Sequence, residues 1–176
     1  QYAFANSRGL QSLNINSDVS GLAIGQYAFT ECDILRSVSL PQGVASMELC
    51  AFYSCDSLRT VTFQGTSTLK TIPQSCFAYC ISLPTITIPD GVETVEYEAF
   101  YGCHELTEVT FGTGLKKLSD NYQFSYCEKL RKVVLPGTAF PFTGNHGLHS
   151  EAVLYVHPEL VDTYRESDYT KAYHIM

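Results

Sequence analysis

The chain has 176 residues, with 11 Lys and Arg against 18 Asp and Glu, a formal net charge of −7, seven Cys and no Trp. That length is one domain's worth. The acidic balance and the scattering of the basic residues argue against nucleic acid as a partner, because gripping a phosphate backbone takes clustered Lys and Arg. No apolar run approaches the ~20 residues of a helical membrane span, so no membrane insertion is expected.

In chain order the sequence repeats itself. Phe4, Ser7, Leu10, Leu13 and Ile15 stand at intervals of three, three, three and two. The same intervals return as Phe29, Cys32, Leu35, Val38, Leu40, then as Phe52, Cys55, Leu58, Val61, Phe63. They continue as Phe77, Cys80, Leu83, Ile86, Ile88, as Phe100, Cys103, Leu106, Val109, Phe111, and as Phe124, Cys127, Leu130, Val133, Leu135. Successive Phe residues lie 25, 23, 25, 23 and 24 positions apart. A period of roughly 20–29 residues is that of leucine-rich repeats, whose units stack to bury one continuous core.

Each unit has a physical reading. Phe, Cys and Leu at i, i+3 and i+6 fit a short helical or 3-10 turn, where residues three apart share a face. The step of two that follows, as in Val61/Phe63 or Ile86/Ile88, reads as a strand with one buried face. A further apolar pair, Val44/Met47, Leu69/Ile72, Val92/Val95 and Leu115/Leu118, forms the return side, possible as a second short strand. Pro41 and Pro89, each followed two residues later by Gly, terminate the strand and mark the turn between. The polar segment Gln64–Thr68 reads as a longer surface turn, and Asp120–Asn121 as a one-residue expansion before Phe124. The first repeat is looser after Ile15, with Leu22 and Ile24 expected to point inward.

Regularity ends at Leu135. Pro136–Ser150 is irregular, and one last strand is predicted over Val153–Val156. Pro158 then suits the first position of a helix, whose Leu160, Val161 and Tyr164 share a face, as expected of a cap on the last turn. Residues 1–150 are thus expected to form a solenoid of about six repeats, and 151–176 a strand-plus-helix cap of the same domain. Gln1 falls in mid-repeat without an initiator Met, which reads as a mature or truncated fragment.

Five cysteines (Cys32, Cys55, Cys80, Cys103 and Cys127) share one repeat position and are expected to make an inward column of small hydrophobes. Adjacent parallel turns sit roughly 4.8 Å apart, farther than the roughly 3.8 Å that disulfide Cβ atoms prefer. A reduced ladder is therefore expected, with Cys50 and Cys76 as further packing thiols.

The unit Ala-Phe-x-x-Cys-x-x-Leu-x-x-Val-x-Leu/Phe-Pro, as in AFTECDILRSVSLP, resembles the BspA-like (treponemal-type) leucine-rich repeat. The ending LYVHPELVDTYRESDYTKAYHI resembles the strand-plus-helix tail that closes such arrays. The resemblance implies an α/β fold: a right-handed leucine-rich-repeat solenoid, predominantly parallel β with short helical or 3-10 turns and a C-terminal capping helix. It also implies a surface-exposed or secreted bacterial protein, active in adhesion to host proteins or other cells.

Outward strand positions form the expected concave face: Ser12/Asn14, Ser37/Ser39, Thr60/Thr62, Thr85/Thr87, Glu108/Thr110 and Lys132/Val134. Such a hydroxyl column favours β structure by itself, or offers a shallow polar binding surface. No His neighbours these hydroxyls in the sequence, and a hydroxyl without an activating base is not a nucleophile. A second candidate is a tyrosine edge. Tyr53 and Tyr101 follow the repeat Phe, Tyr79 and Tyr126 sit one place later, and Tyr2, Tyr27 and Tyr122 sit two places before it. Each ring either covers its neighbour's turn or serves recognition of protein or sugar. His146-x-x-His149 with Glu151 has metal-ligand residue types on a loop lacking the rigid spacing of a helical zinc motif, so neither metal nor cofactor is expected. The leading expectation is a non-enzymatic recognition module binding an extracellular protein or glycan. A structural spacer is the alternative, and a metal-assisted hydrolase at His146, His149 and Glu151 the third reading.

Overall fold

The computed structural model describes residues 1–15, 20–65, 67–119 and 122–176. The expansion read at Asp120–Asn121 and one residue of the Gln64–Thr68 turn lie outside them. The strands alternate between two sides of a coil. One side holds β1 (Ser12–Asn14), β3 (Ser37–Leu40), β5 (Thr60–Phe63), β7 (Thr85–Thr87), β9 (Glu108–Thr110) and β11 (Lys132–Leu135). The return side holds β2 (Leu22–Ile24), β4 (Val44–Met47), β6 (Thr71–Ile72), β8 (Thr94–Val95) and β10 (Lys117–Leu118). The pairings are parallel, and within the repeats they join equivalent residues of successive turns, such as Val38↔Val61 and Val109↔Val133, apart from a shift of register in β2 between Leu22 and Ala23. A second short strand does form on the return side: it contains both Val44 and Met47 in β4, but only the later member of the other pairs (Ile72, Val95 and Leu118).

The third side runs through the Phe-x-x-Cys-x-x-Leu segments. Its bonds are i→i+3, as in Tyr53 N–H to Cys50 O (3.2 Å) and Leu58 N–H to Cys55 O (2.9 Å). These turns do not wind into a helix, because the residue two before and the residue two after each Phe are left-handed. The later position has φ 56 at Asn6, 55 at Glu31, 54 at Ser54, 60 at Tyr79, 71 at Gly102 and 61 at Tyr126. Left-handed residues do not propagate a right-handed helix; here they aim alternate N–H groups at the next turn. Phe52 N–H thus donates to Cys76 O (2.9 Å) and Ser54 N–H to Ala78 O (2.8 Å).

Inside the coil like stacks on like. The rings of Phe29, Phe52, Phe77, Phe100 and Phe124 lie 5.2–5.8 Å apart and within 5° of parallel. The cysteine column is buried and all seven thiols are free. Each ladder thiol donates to the carbonyl of the preceding turn's Phe: Cys55 Sγ to Phe29 O (3.2 Å), Cys80 Sγ to Phe52 O (3.3 Å), Cys103 Sγ to Phe77 O (3.2 Å). Burial pushes the thiols of Cys76, Cys80 and Cys103 up, so they stay protonated near neutral pH.

The C-terminal end closes as expected. β12 (Val153–Val156) pairs with β11, Pro158 opens a 3-10 turn, and α1 (Val161–Glu166) buries Tyr164 against Phe140 (4.8 Å between ring centroids). A final strand, β13 (His174–Ile175), pairs with β12. The sequence reading missed it because two residues carry no periodicity.

Phe100 is fully buried between Phe77 and Phe124. Phe100→Ala is expected to cost about 3–5 kcal/mol in chemical denaturation, for lost burial plus the cavity left. Alkylation under native conditions is expected to label none of the ladder cysteines, and to label all of them once the chain unfolds, as mass spectrometry would show.

Candidate recognition surfaces

Parallel register brings the outward strand residues into rows. Ser37 faces Thr60 and Ser39 faces Thr62 across β3 and β5; Thr85 faces Glu108 and Thr87 faces Thr110 across β7 and β9. The two ends of this face are tied up internally. Gln64 Nε2 donates to Ser39 Oγ (2.7 Å), while Glu108 takes a bond from Thr110 Oγ1 (3.3 Å) and an ion pair from Lys132 (3.0 Å). Thr60, Thr62, Thr85 and Thr87 lie between them and are exposed, with the Thr62 hydroxyl also donating to Val38 O (3.4 Å).

At that place the sheet is split. Where the ladder is intact, the residues that open a strand donate backward: Arg59 and Thr60 N–H to Arg36 O (2.9 and 3.2 Å), Arg131 and Lys132 N–H to Thr107 O (3.1 and 3.2 Å). The equivalent of Arg59 in the next repeat is Pro84, which has no N–H to give. Among the described residues no paired register joins β5 to β7, although the strands are neighbours. A groove of about 620 Å³ opens there, with Arg59, Thr60, Thr62 and Phe63 on one bank and Thr85, Thr87 and Asp90 on the other. Asp90 is held by Thr113, whose N–H and hydroxyl both reach its Oδ1 (2.9 and 3.2 Å).

The tyrosines of the turn side form continuous rows in spite of their unequal offsets. Tyr53, Tyr79, Tyr101 and Tyr126 follow one another edge to face at 5.4, 5.4 and 5.0 Å. Gly102 makes room for this row, since a Cβ there would meet the Tyr79 ring at 2.9 Å. Tyr2 stacks on Tyr27 (4.9 Å), and Tyr97 meets Tyr122 edge to face (6.1 Å). Tyr97 escaped the sequence reading because other repeats have Gln26, Leu49 or Gln74 at its position.

His146 and His149 do separate jobs. His146 is buried, its Nδ1 is 2.8 Å from Gln123 Oε1, and its Nε2 accepts Gly144 N–H (3.3 Å). His149 Nδ1 accepts Glu151 N–H (3.1 Å), and the Glu151 carboxylate pairs with Arg131 (3.1 Å). Among the described residues no three His, Cys, Asp or Glu side chains are grouped to hold a metal ion. Gln123, which replaces the usual small residue before the Phe, is buried and also donates to Ser119 O. It anchors the irregular segment to the last repeat, a role its sequence position did not disclose.

Six copies of the BspA-type leucine-rich repeat region match residues 1–131. The chain belongs to this family. Among solved structures, a leucine-rich cell surface protein from Faecalibacterium prausnitzii is 31% identical with a TM-score of 0.61, over 70% of this chain and 31% of that one. The present chain thus spans about a third of that relative. A leucine-rich-repeat protein of T. pallidum (24% identity, TM-score 0.64, 92% of this chain and 80% of that one) shares the fold. So does one from Bacteroides ovatus (20%, 0.58, 89% and 52%). No protein of curated function matches. On the return side of this BspA-type array, ion pairs also run from turn to turn: Glu93 bridges Lys70 (3.0 Å) and Lys116 (2.7 Å). Hydrogen bonds from these two lysines hold its carboxyl down at about 2.

Pro84 withholds one donor at the split in the BspA-type ladder, and the return-side sheet is also interrupted at this turn, between β4 and β6. Pro84→Arg is expected to restore that donor and close β5 onto β7. Hydrogen exchange followed by NMR would then show slow amides at positions 84 and 85; fast exchange at both would show that another constraint holds the strands apart.

Proposed function

We propose that this chain is a non-enzymatic recognition module of a bacterial surface or secreted protein, and that it binds an extracellular protein or glycan across the split between β5 and β7. The observation that carries this reading is the groove itself. A parallel sheet normally spends its backbone donors and acceptors on neighbouring strands; here, among the described residues, β5 and β7 share no paired register, and four exposed threonines line the gap between them. Arg59 and Asp90 add one charge of each sign near its rim. Hydroxyls and a charge pair suit a polar ligand. Among the described residues no His or Cys lines the groove, so its threonines have no neighbouring base to make them nucleophiles. The F. prausnitzii relative is a cell surface protein, which supports the proposed location.

The test is a binding screen against immobilised extracellular proteins and glycans, comparing the parent chain with a Thr62→Arg/Thr87→Arg variant. Both substitutions are at exposed strand positions, so circular dichroism and melting should be unchanged. Partners of the parent are expected to bind the variant about tenfold or more weakly, as arginine bulk fills the groove. A folded variant that binds every partner like the parent would remove the groove from the interface.

A further inference from the structure

We propose that the tyrosine groove on the turn side of the last repeats is a binding site for a quaternary ammonium group. Two edge-to-face pairs, Tyr97 with Tyr122 (6.1 Å) and Tyr101 with Tyr126 (5.0 Å), flank a recess of about 370 Å³ that also exposes Ser125 and Glu98. Among the described residues, Glu98 is the one charged residue of this lining. Its carboxylate takes the Ser75 hydroxyl at 3.5 Å and a bond from the Tyr97 phenol, which that bond pushes up. The carboxylate is therefore oriented, and among the described residues no Lys, Arg or His pairs with it.

The fold does not ask for these aromatic residues. Tyr122 and Tyr126 occupy left-handed positions (φ 67 and 61), a conformation that costs a bulky residue free energy. The sites equivalent to Tyr122 hold Tyr2, Tyr27, Cys50, Ser75 and Glu98, and those equivalent to Tyr126 hold Asn6, Glu31, Ser54, Tyr79 and Gly102, so the turn accepts tyrosine without requiring it. Nor do the two rings repay the cost by burial, since Tyr122 is 45% and Tyr126 59% exposed. Large apolar faces held open at strained positions suit a ligand better than a core.

Charge and hydration select the ligand. Aromatic faces are electronegative and attract cations lying over the ring. Glu98 reinforces that preference and disfavours anions, and the chain is acidic overall at −7. A primary ammonium is strongly hydrated and would give up water for few acceptors in so open a recess. A quaternary ammonium is weakly hydrated and offers only C–H surface, which matches ring faces. Burial, followed by the neighbouring Tyr126 hydroxyl, pushes the Tyr101 phenol up to about 12, so that ring stays neutral at physiological pH.

The site stands apart from the strand-face groove, and one experiment keeps the two separate. The full chain is titrated with choline and with its uncharged isostere 3,3-dimethylbutan-1-ol, following the tyrosine ring protons by NMR. Choline is expected to saturate with a Kd on the order of 1 mM, shifting the rings of Tyr97, Tyr101, Tyr122 and Tyr126, and the isostere to bind about tenfold more weakly. Glu98→Gln and Tyr126→Ala are each expected to weaken choline about threefold to tenfold with melting unchanged. Thr62→Arg/Thr87→Arg is expected to bind it like the parent. Absence of saturation up to about 50 mM, equal binding of the isostere, or parent-like binding by both tyrosine-groove variants would overturn the proposal.

Discussion

Parallel pairing in register is the constraint on which the rest of this structure depends. A strand bonded to the equivalent strand of the next turn sets Val38 beside Val61 and Ser37 beside Thr60, so every side chain must tolerate a near copy of itself one strand spacing away. Phenylalanine meets that demand by lying parallel to its neighbour, at 5.2 Å between Phe29 and Phe52. Cysteine meets it by being small and by giving its hydrogen to the carbonyl of the Phe one turn back, as Cys55 does to Phe29 O. The thiol thus does two things that alanine or serine would do singly. It fills apolar volume, and it supplies a weak donor to a buried carbonyl.

Departures from the repeat are where the surface becomes particular. Pro84 withholds one N–H, and the ladder that unites β3 with β5 and β7 with β9 is interrupted between the two pairs. The return-side sheet is interrupted at the same turn, between β4 and β6, so the groove lies where both sides of the coil depart from the ladder. Tyr79, Gly102 and Tyr126 show the converse. The backbone at that position is left-handed in every repeat, whatever the residue, so the stacking sets the conformation and the side chain is left to serve the surface.

Closure of the C-terminal end depends on polar anchoring as much as on burial. The irregular segment after Leu135 has no repeat to align it. Gln123 takes it in hand through His146, and Phe140 and Phe142 carry it onto Tyr164 of the capping helix. The histidine that looked like half of a metal site is a structural residue, bound on both ring nitrogens to neighbours within the segment and the last repeat.

The solenoid, its core columns, the free thiols and the cap were all legible in the sequence, because a period near 24 residues with fixed internal spacing admits one way of burying its apolar side chains. Phe, Cys, Leu and Val at constant intervals determined which residues face inward, whatever the details of the turns. Three things were decided only in the tertiary structure. Pro84 had to be aligned with Arg59 and Thr107 of its neighbours before the lost donor could be set at the split in the sheet. Tyr97 had to be set beside Tyr122, and Tyr101 beside Tyr126, before they enclosed anything with Glu98. Gln123 and His146 had to be brought into contact across 23 residues of chain. Periodicity reports what a residue shares with its copies, whereas a site is made by residues that differ from theirs, and only contact between turns says which differences meet.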